Sequence, residues 1–148
     1  MAIPAEYLQL SQAGPNGTRD RQQLLEQSKQ GQQNSLYDPQ NGYLRIVQGG
    51  DTCSTLTVAI FSRPAASPLV ALSYACAGAD QLNMLDPDQN WRSVTSTVLP
   101  TNLTPDPNLD QLEIELPRFG QTIEIRREQN KQIRVERYRF NDQRFITE

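Results

Sequence analysis

Two acidic, proline-containing loops hold the residues of this sequence whose types and spacing could support chemistry. In the first loop Asp86, Asp88 and Asn90 recur at every second position, which is the spacing that opens a calcium-binding loop. Such a loop also needs a glycine at the next position and a bidentate glutamate further on, and the sequence has neither. An Asp-Pro-Asp turn, whose polar side chains bond to the turn backbone, is the simpler interpretation.

The second loop, residues 101–110, contains Asp106 and Asp110. Together with Asp86 and Asp88, these residues would supply the paired carboxylates with which a glycoside hydrolase acts across a substrate cleft. The sequence gives no sign of the cleft, and it contains a single tryptophan as a possible sugar platform. We keep both loops as a candidate binding surface, which consists of Asp86, Asp88, Asn90, Trp91, Asp106 and Asp110.

Histidine is absent from the chain. This excludes Ser-His-Asp and Cys-His catalysis, histidine-ligated metals and the usual proton shuttle at neutral pH. The formal net charge of -3 provides no electrostatic footprint for nucleic acid. The sequence therefore predicts no catalytic residue, no metal, no cofactor and no nucleic-acid partner.

The stretch between the two cysteines of the chain, Cys53 and Cys76, reads as two apolar runs around a turn at Pro64 and Ala65. A hairpin folded about that turn places Cys53 opposite Cys76, close enough for a disulfide, with two buried thiols as the alternative. The same register pairs Ala59 with Val70, Thr57 with Leu72, and Thr55 with Tyr74. A disulfide would indicate an oxidising compartment: the periplasm, the cell surface or the medium.

Both faces of this hairpin are apolar, which predicts a position in the middle of the structure. We expect Leu56, Val58, Ile60 and Leu69 on one face, and Ala59, Phe61, Val70 and Leu72 on the other. No signal peptide and no transmembrane span is evident in the sequence. A cytoplasmic location with free thiols is therefore the alternative to an exported one.

The first residues of the chain look like an attachment arm followed by a helix. Residues 1–17 carry several helix breakers, and we expect this arm to be dispensable for folding. Residues 19–34 form a predicted helix with only Leu24 and Leu25 as large apolar residues. Such a helix either lies on a sheet by one small patch or frays. Residues 18–148 would then form one β-rich domain.

Strands are predicted from residue 36 onwards, beginning with a pair joined by a turn at Asp38. The stretches YDPQNGYLR and LDPDQNWRS resemble each other, which indicates two hairpins with similar turns. In the second of these, QLNML pairs with WRSVTSTVLP. Further on, alternation predicts a meander with an apolar inner face formed by Leu112, Ile114, Leu116, Ile123, Ile125, Ile133 and Val135.

This meander also predicts a charged outer face, with Glu113 opposite Arg126 and Glu124 opposite Arg134. The phase of alternation then changes before Tyr138 and Phe140. We therefore expect a β-bulge near residues 136–137.

The stretch LDPDQNWRSVTSTVLP resembles a pattern in uncharacterised, exported bacterial β-rich proteins. The residues concerned are Trp91, Val94, Thr95, Val98, Leu99 and Pro100. LPRFGQTIEI and the later aromatic residues Tyr138, Phe140 and Phe145 resemble the closing hairpins of the same proteins, so that the resemblance covers residues 36–146. It implies an envelope or exported location, and it carries no known activity.

Taken together, these patterns predict a mainly β domain, built as an antiparallel meander sheet or a two-layer sandwich with one N-terminal helix. The expected function is that of a non-enzymatic exported or envelope module that binds another protein. One alternative is an inhibitor whose loop 101–110 plugs the cleft of an exported hydrolase. A carboxylate-only hydrolase is the other, and it requires the aspartates of both loops to converge in one pocket.

Overall fold

The structure is a computed structural model that describes residues 22, 26, 29, 30, 35–47, 53–104 and 106–148, with only the backbone of Cys53. The arm at residues 1–17 lies outside the described residues, as does most of the predicted helix at 19–34. Gln22, Glu26 and Lys29 have helical backbone. Within the part of the chain that the structure describes, no helix has the length and hydrophobicity of a membrane-spanning segment.

Two antiparallel sheets make up the described structure, which confirms the mainly β prediction. Sheet one follows chain order: β1 (Leu36–Asp38), β2 (Tyr43–Val47), β3 (Cys53–Arg63), β4 (Ala66–Cys76), β5 (Gln81–Asp86) and β6 (Arg92–Ser93). A short helix, α1 (Thr95–Val98), follows. Sheet two is also a meander, built from β7 (Gln111–Glu115), β8 (Thr122–Gln129), β9 (Gln132–Phe140) and β10 (Phe145–Thr147).

The two sheets pack over one apolar core, which we call the interior core. At its centre three aromatic rings, Phe61 of β3, Phe140 of β9 and Phe145 of β10, have centroids 5.0–5.5 Å apart. Edge-to-face and tilted contacts of this kind add to the free energy gained by burial. The predicted inner residues Leu112, Ile114, Leu116, Ile123 and Ile125 are buried in this core.

The β3–β4 hairpin is central in sheet one, as predicted, and its Cα register places Cys53 opposite Cys76. Between these ends, however, the predicted register is wrong by one residue: Ala59 faces Ala71, Thr57 faces Ser73, and Thr55 faces Ala75. A register shift between Phe61 and Arg63 moves the pairing by one residue, and a second shift between Cys53 and Thr55 moves it back. Leu69 consequently shares its face with Phe61, and Val70 and Leu72 share theirs with Val58.

The repeated Asp-Pro turns fold alike, as the sequence indicates. Asp38 and Asp86 each cap a 3-10 turn that has proline in its first position. The turns end in left-handed residues, Gly42 at φ 61° and Asn90 at φ 55°. A side chain on Gly42 would also collide with Ile60, which lies 2.9 Å from the position of its added Cβ.

The strand predicted after Trp91 is only two residues long, and Thr95–Val98 are helical instead. Met84 of β5 explains this break. Its carbonyl accepts from Val94 N at 2.7 Å, and its N–H donates to Thr95 Oγ1 at 2.9 Å. The Thr95 hydroxyl thus accepts the hydrogen bond that a backbone carbonyl would accept in a longer strand. For this reason β6 ends here and the chain turns away from the sheet.

Sheet two departs from the prediction in β9, where the register differs by three residues. Asn130 and Lys131 both have left-handed φ, so that the turn is tight and Gln129 pairs with Gln132. Glu124 therefore faces Arg137 rather than Arg134. An odd shift reverses the faces of a strand, and Ile133 and Val135 are accordingly exposed by 58% and 46%. The alternation runs unbroken to Tyr138 and Phe140, so no bulge occurs near residues 136–137.

Candidate functional site

The first acidic loop is an ion-paired turn. Asp86 is 4% exposed and forms a two-pronged pair with Arg63, with Nη2–Oδ1 at 2.7 Å and Nη1–Oδ2 at 3.1 Å. The Arg63 guanidinium lowers the pKa of the Asp86 carboxyl, and bonds from Gln89 and from the backbone of Asp88 act in the same direction. Asp86 is therefore held as a carboxylate that ties the β5–β6 turn to the β3–β4 hairpin.

Asp88 strengthens the same connection. Its Oδ1 accepts from the hydroxyl of Ser67 at 2.6 Å, and its Oδ2 accepts from the backbone N–H of Ser67 at 2.9 Å. Asn90 and Trp91 both have positive φ and complete the turn, and Trp91 packs against an apolar cluster of sheet one. Ion pairing and turn geometry account for Asp86, Asp88 and Asn90. Packing accounts for the ring of Trp91, whose buried Nε1 has no hydrogen-bond partner among the described residues.

The second acidic loop lies elsewhere, against sheet two. Arg127 holds its start by donating to Thr101 Oγ1 at 3.1 Å and to the carbonyl of Asn102 at 2.9 Å. Asp106 accepts from the backbone and the side chain of Asn108, which is a local turn. The backbone N–H of Asp110 donates to the carbonyl of Glu128.

The aspartates of the two loops have separate bonding partners: Arg63 for Asp86, Ser67 for Asp88, and Asn108 for Asp106. Within the described ranges, no three acidic or cysteine side chains come together as a metal-binding group. No hydrogen bond between described residues joins an aspartate of one loop to an aspartate of the other, and the hydrolase alternative stays a prediction.

The cysteine pair is described only in part. Cys53 and Cys76 are Cα partners across the hairpin, and Cys76 is not a free thiol. The side chain of Cys53 lies outside the described residues, so the Cys53–Cys76 disulfide stays a prediction.

A groove of about 720 Å³ opens between sheet one and the edge of sheet two that is formed by β7. Its floor is the polar end of β2 and β3, and its wall is β7 with the neighbouring part of β8. Because β7 is the edge strand of sheet two, the groove runs along a strand whose outer side has no strand partner among the described residues. We call it the β7 groove; its lining includes Tyr43, Arg45, Thr55, Thr57, Glu113, Glu115, Leu116 and Arg126.

Asp80 closes one end of the β7 groove. Its carboxylate accepts from Cys76 N at 3.1 Å and from Ile114 N at 2.9 Å, and its own N–H donates to Leu112 O at 2.8 Å. Burial raises the pKa of the Asp80 carboxyl, against the effect of the two N–H bonds. Asp80 thus occupies part of the free edge of β7 and leaves the edge open only beyond Ile114.

At its other end the β7 groove continues into a second hollow of about 530 Å³, which shares Tyr43, Glu115, Leu116 and Glu124 with it. Phe119 lines this hollow and is 67% exposed, with the guanidinium of Arg118 4.8 Å from its ring centroid. Arg118 is itself fixed by Asp38, whose Oδ2 accepts from Nε at 2.8 Å. An exposed aromatic ring therefore stands at the end of a polar channel.

The charges of the β7 groove are mixed. Arg45 is exposed and has no ion pair with any residue that the structure describes, while Glu113 lies 3.9 Å from Arg126. Burial raises the pKa of the Tyr43 hydroxyl, so that this group remains a neutral donor and acceptor. Such a lining can exchange hydrogen bonds and ion pairs with a polar chain.

The sequence did not indicate the β7 groove. Its residues come from β2, β3, β4, β7 and β8 and from the β4–β5 connection, and only the packing of the two sheets brings them together. The one available signal was Phe119, an aromatic residue in a turn after an alternating strand.

No protein-family model and no curated protein sequence matches the chain. The structure is similar to a domain of an uncharacterised protein from Porphyromonas gingivalis W83, with a TM-score of 0.51 and 13% sequence identity. The similarity covers 72% of this chain and 71% of the other. At this identity it shows a shared fold, so the resemblance to β-rich bacterial proteins is supported at the level of fold.

Proposed function

We propose that the protein is a non-enzymatic module that binds an extended segment of a partner protein in the β7 groove. The observation that carries this proposal is the continuity of the β7 groove with the hollow at Phe119. An extended chain fits a long channel with a polar lining, because it can exchange hydrogen bonds with the lining side chains and place alternate side chains of its own in the hollows. Phe119 would serve as the aromatic anchor of the interface.

Selection of peptides from a random display library on the immobilised protein tests this proposal. We expect Phe119→Ala and Arg45→Glu each to weaken the affinity of the selected peptides tenfold or more, about 1.4 kcal/mol or more. Ile133→Ala is the matched control, because Ile133 is similarly exposed but lies on the outer face of sheet two. Equal affinity in all variants, or no peptide selected, would overturn the proposal.

We further propose an exported location, in the periplasm, at the cell surface or in the medium. It is supported by the register that opposes Cys53 and Cys76. Protein purified in air should gain the mass of two hydrogen atoms on reduction, and its free energy of unfolding should fall by about 3 kcal/mol. Two free thiols before reduction would remove the basis for the proposed location.

A further inference from the structure

Half of the β9 strand has a free edge. Sheet two runs in the order β10, β9, β8, β7, so β10 is the neighbour of β9 on the side away from β8. β10 pairs only with residues 138–140 of β9, and the chain after it reaches back as far as Arg137. In the part of the chain that the structure describes, residues 132–136 therefore have no strand beside them on this side. We call residues 132–136 the β9 edge.

The direction of the backbone groups shows which of them are free. In an antiparallel strand the N–H and C=O groups of successive residues point alternately to the two sides. Phe140 donates its N–H to Gln121, just before β8, whereas the carbonyl of Arg137 accepts from Glu148 N on the β10 side at 3.0 Å. Ile133 and Val135 have the same parity as Arg137, so their N–H and C=O groups also point away from β8. No described residue bonds to these groups.

The side chains at the β9 edge are apolar and exposed. Ile133 is 58% exposed and Val135 is 46% exposed, and both lie on the outer face of sheet two. The register of β9 against β8 is regular throughout, so no bulge twists this edge away. An exposed, regular edge with β-branched side chains is a place where another strand can be added to the sheet.

We propose that the β9 edge pairs with the β9 edge of a second copy of this chain, antiparallel and about a twofold axis at Arg134. In this register Ile133 lies opposite Val135 of the second copy, and Val135 lies opposite Ile133. Each of these pairs exchanges two hydrogen bonds. All the free N–H and C=O groups of both edges are thereby satisfied.

Other registers that keep the same faces together satisfy fewer groups. A shift of two residues in one direction brings Ile133 opposite Arg137, whose carbonyl is already bonded to Glu148. A shift in the other direction brings Val135 opposite Lys131, which lies in the turn and has left-handed φ. The register centred on Arg134 is therefore the one in which the β9 edge is complementary to itself.

Charge complementarity favours the same register. On the inner face, Gln132 lies opposite Glu136 of the second copy, so an amide meets a carboxylate. Arg134 lies opposite the same residue of the second copy, and in each copy its Nε is 3.1 Å from Glu136 Oε1, which balances its charge. Lys131 of the second copy arrives beside Glu148, which has the opposite charge. On the outer face, the aliphatic side chains of both copies form one apolar patch.

A twofold axis also closes the assembly. The two four-stranded sheets join through their β9 edges, and the joined sheet ends in β7 on either side. Because both β9 edges are used, the product is a dimer and not a fibre. The inference concerns the other edge of sheet two from the β7 groove and does not depend on the proposed function.

Analytical ultracentrifugation of the full-length protein tests the self-association. We expect a monomer–dimer equilibrium at concentrations up to about 1 mM, because an interface of two short strands is small. A protein that stays monomeric over this whole range would overturn the proposal.

Two variants at one position test whether the copies meet at the β9 edge. Val135→Pro removes an N–H that points away from β8, so the monomer should still fold while association weakens about tenfold or more. Val135→Arg keeps the N–H but removes the apolar contact, and it should weaken association by a similar factor. Ile60→Arg is the matched control, because Ile60 is also 46% exposed but belongs to β3, and it should associate like the wild type. Wild-type association of both Val135 variants, or an equal loss in Ile60→Arg, would place the contact elsewhere.

The register is tested by nuclear Overhauser contacts in a mixture of methyl-labelled and unlabelled chains, which reports contacts between copies alone. We expect contacts from the methyl groups of Ile133 in one chain to those of Val135 in the other. A dimer whose contacts between copies lack this pair would contradict the proposed pairing.

Discussion

The carboxylate of Asp86 shows how one buried charge determines the shape of a turn. It connects the β5–β6 turn to the hairpin through Arg63, and neither side chain is more than 16% exposed. Removal of one member of such a pair leaves the other charge buried without its partner. Replacement of either side chain of the Arg63–Asp86 pair should therefore lower the free energy of unfolding substantially.

Asp86→Asn should lower the free energy of unfolding by about 2–4 kcal/mol, since Arg63 loses its charged partner. Urea denaturation measures the effect. Asp106→Asn is the control, because Asp106 is exposed and makes only a local turn, and it should cost less than about 1 kcal/mol. Equal losses for the two variants would show that the Arg63–Asp86 pair is not formed in solution.

The same pair predicts a dependence of stability on pH. Because the folded-state pKa of Asp86 is lowered, its contribution is present above the ordinary aspartate pKa of about 3.9 and is lost as pH falls through the lower, folded-state pKa. Denaturation curves recorded between about pH 5 and pH 2 should show a smaller loss of stability in Asp86→Asn than in the wild type. Parallel curves would contradict this assignment.

At the scale of the element, β8 and β9 each carry a β-branched aliphatic residue, and the two residues lie on opposite faces of sheet two. Ile125 of β8 is buried in the interior core, whereas Val135 of β9 lies on the outer face. Ile125→Arg should cost several kcal/mol, because it places an unpaired charge in the core. Val135→Arg should change stability by about 0.5 kcal/mol or less. Similar losses for the two variants in urea denaturation would show that the register of β9 is wrong.

Local signals in the sequence were sufficient for the turn of the β3–β4 hairpin and for the two Asp-Pro turns, but not for the β8–β9 turn, where the predicted register is wrong by three residues. Pro64-Ala65 and the two Asp-Pro turns were predicted correctly, as was the pairing of Glu113 with Arg126. Register was predicted less well. The two shifts in the β3–β4 hairpin cancel at the cysteines, so the ends alone do not reveal them.

The candidate site was not predictable in the same way. The acidic loops were candidates because of their residue types. In the structure, however, Asp86 pairs with Arg63, and Asp106 accepts hydrogen bonds within its own turn. The β7 groove combines residues from both sheets, and the packing that brings them together is long-range, so no single stretch of sequence indicates it.

For the whole molecule, the division between arm and domain makes a further prediction. Residues 1–17 carry several breakers, and we expect them to be dispensable for folding. Deletion of residues 1–17 should therefore leave the melting temperature nearly unchanged. Differential scanning calorimetry of the truncated and the full-length protein checks this. A fall of many degrees would make the arm part of the domain.

Asp80 also bears on how molecules of this protein behave towards one another in concentrated solution. An edge strand such as β7 is a template on which a neighbouring molecule can continue the sheet and start a polymer. The Asp80 carboxylate already holds the N–H of Ile114, and the backbone of residues 78–80 holds both polar groups of Leu112. A strand arriving from outside would have to displace a carboxylate from its bonds before it could pair. The hydrogen bonds of Asp80 that close one end of the β7 groove should thus also disfavour sheet extension along β7 between two molecules of this protein.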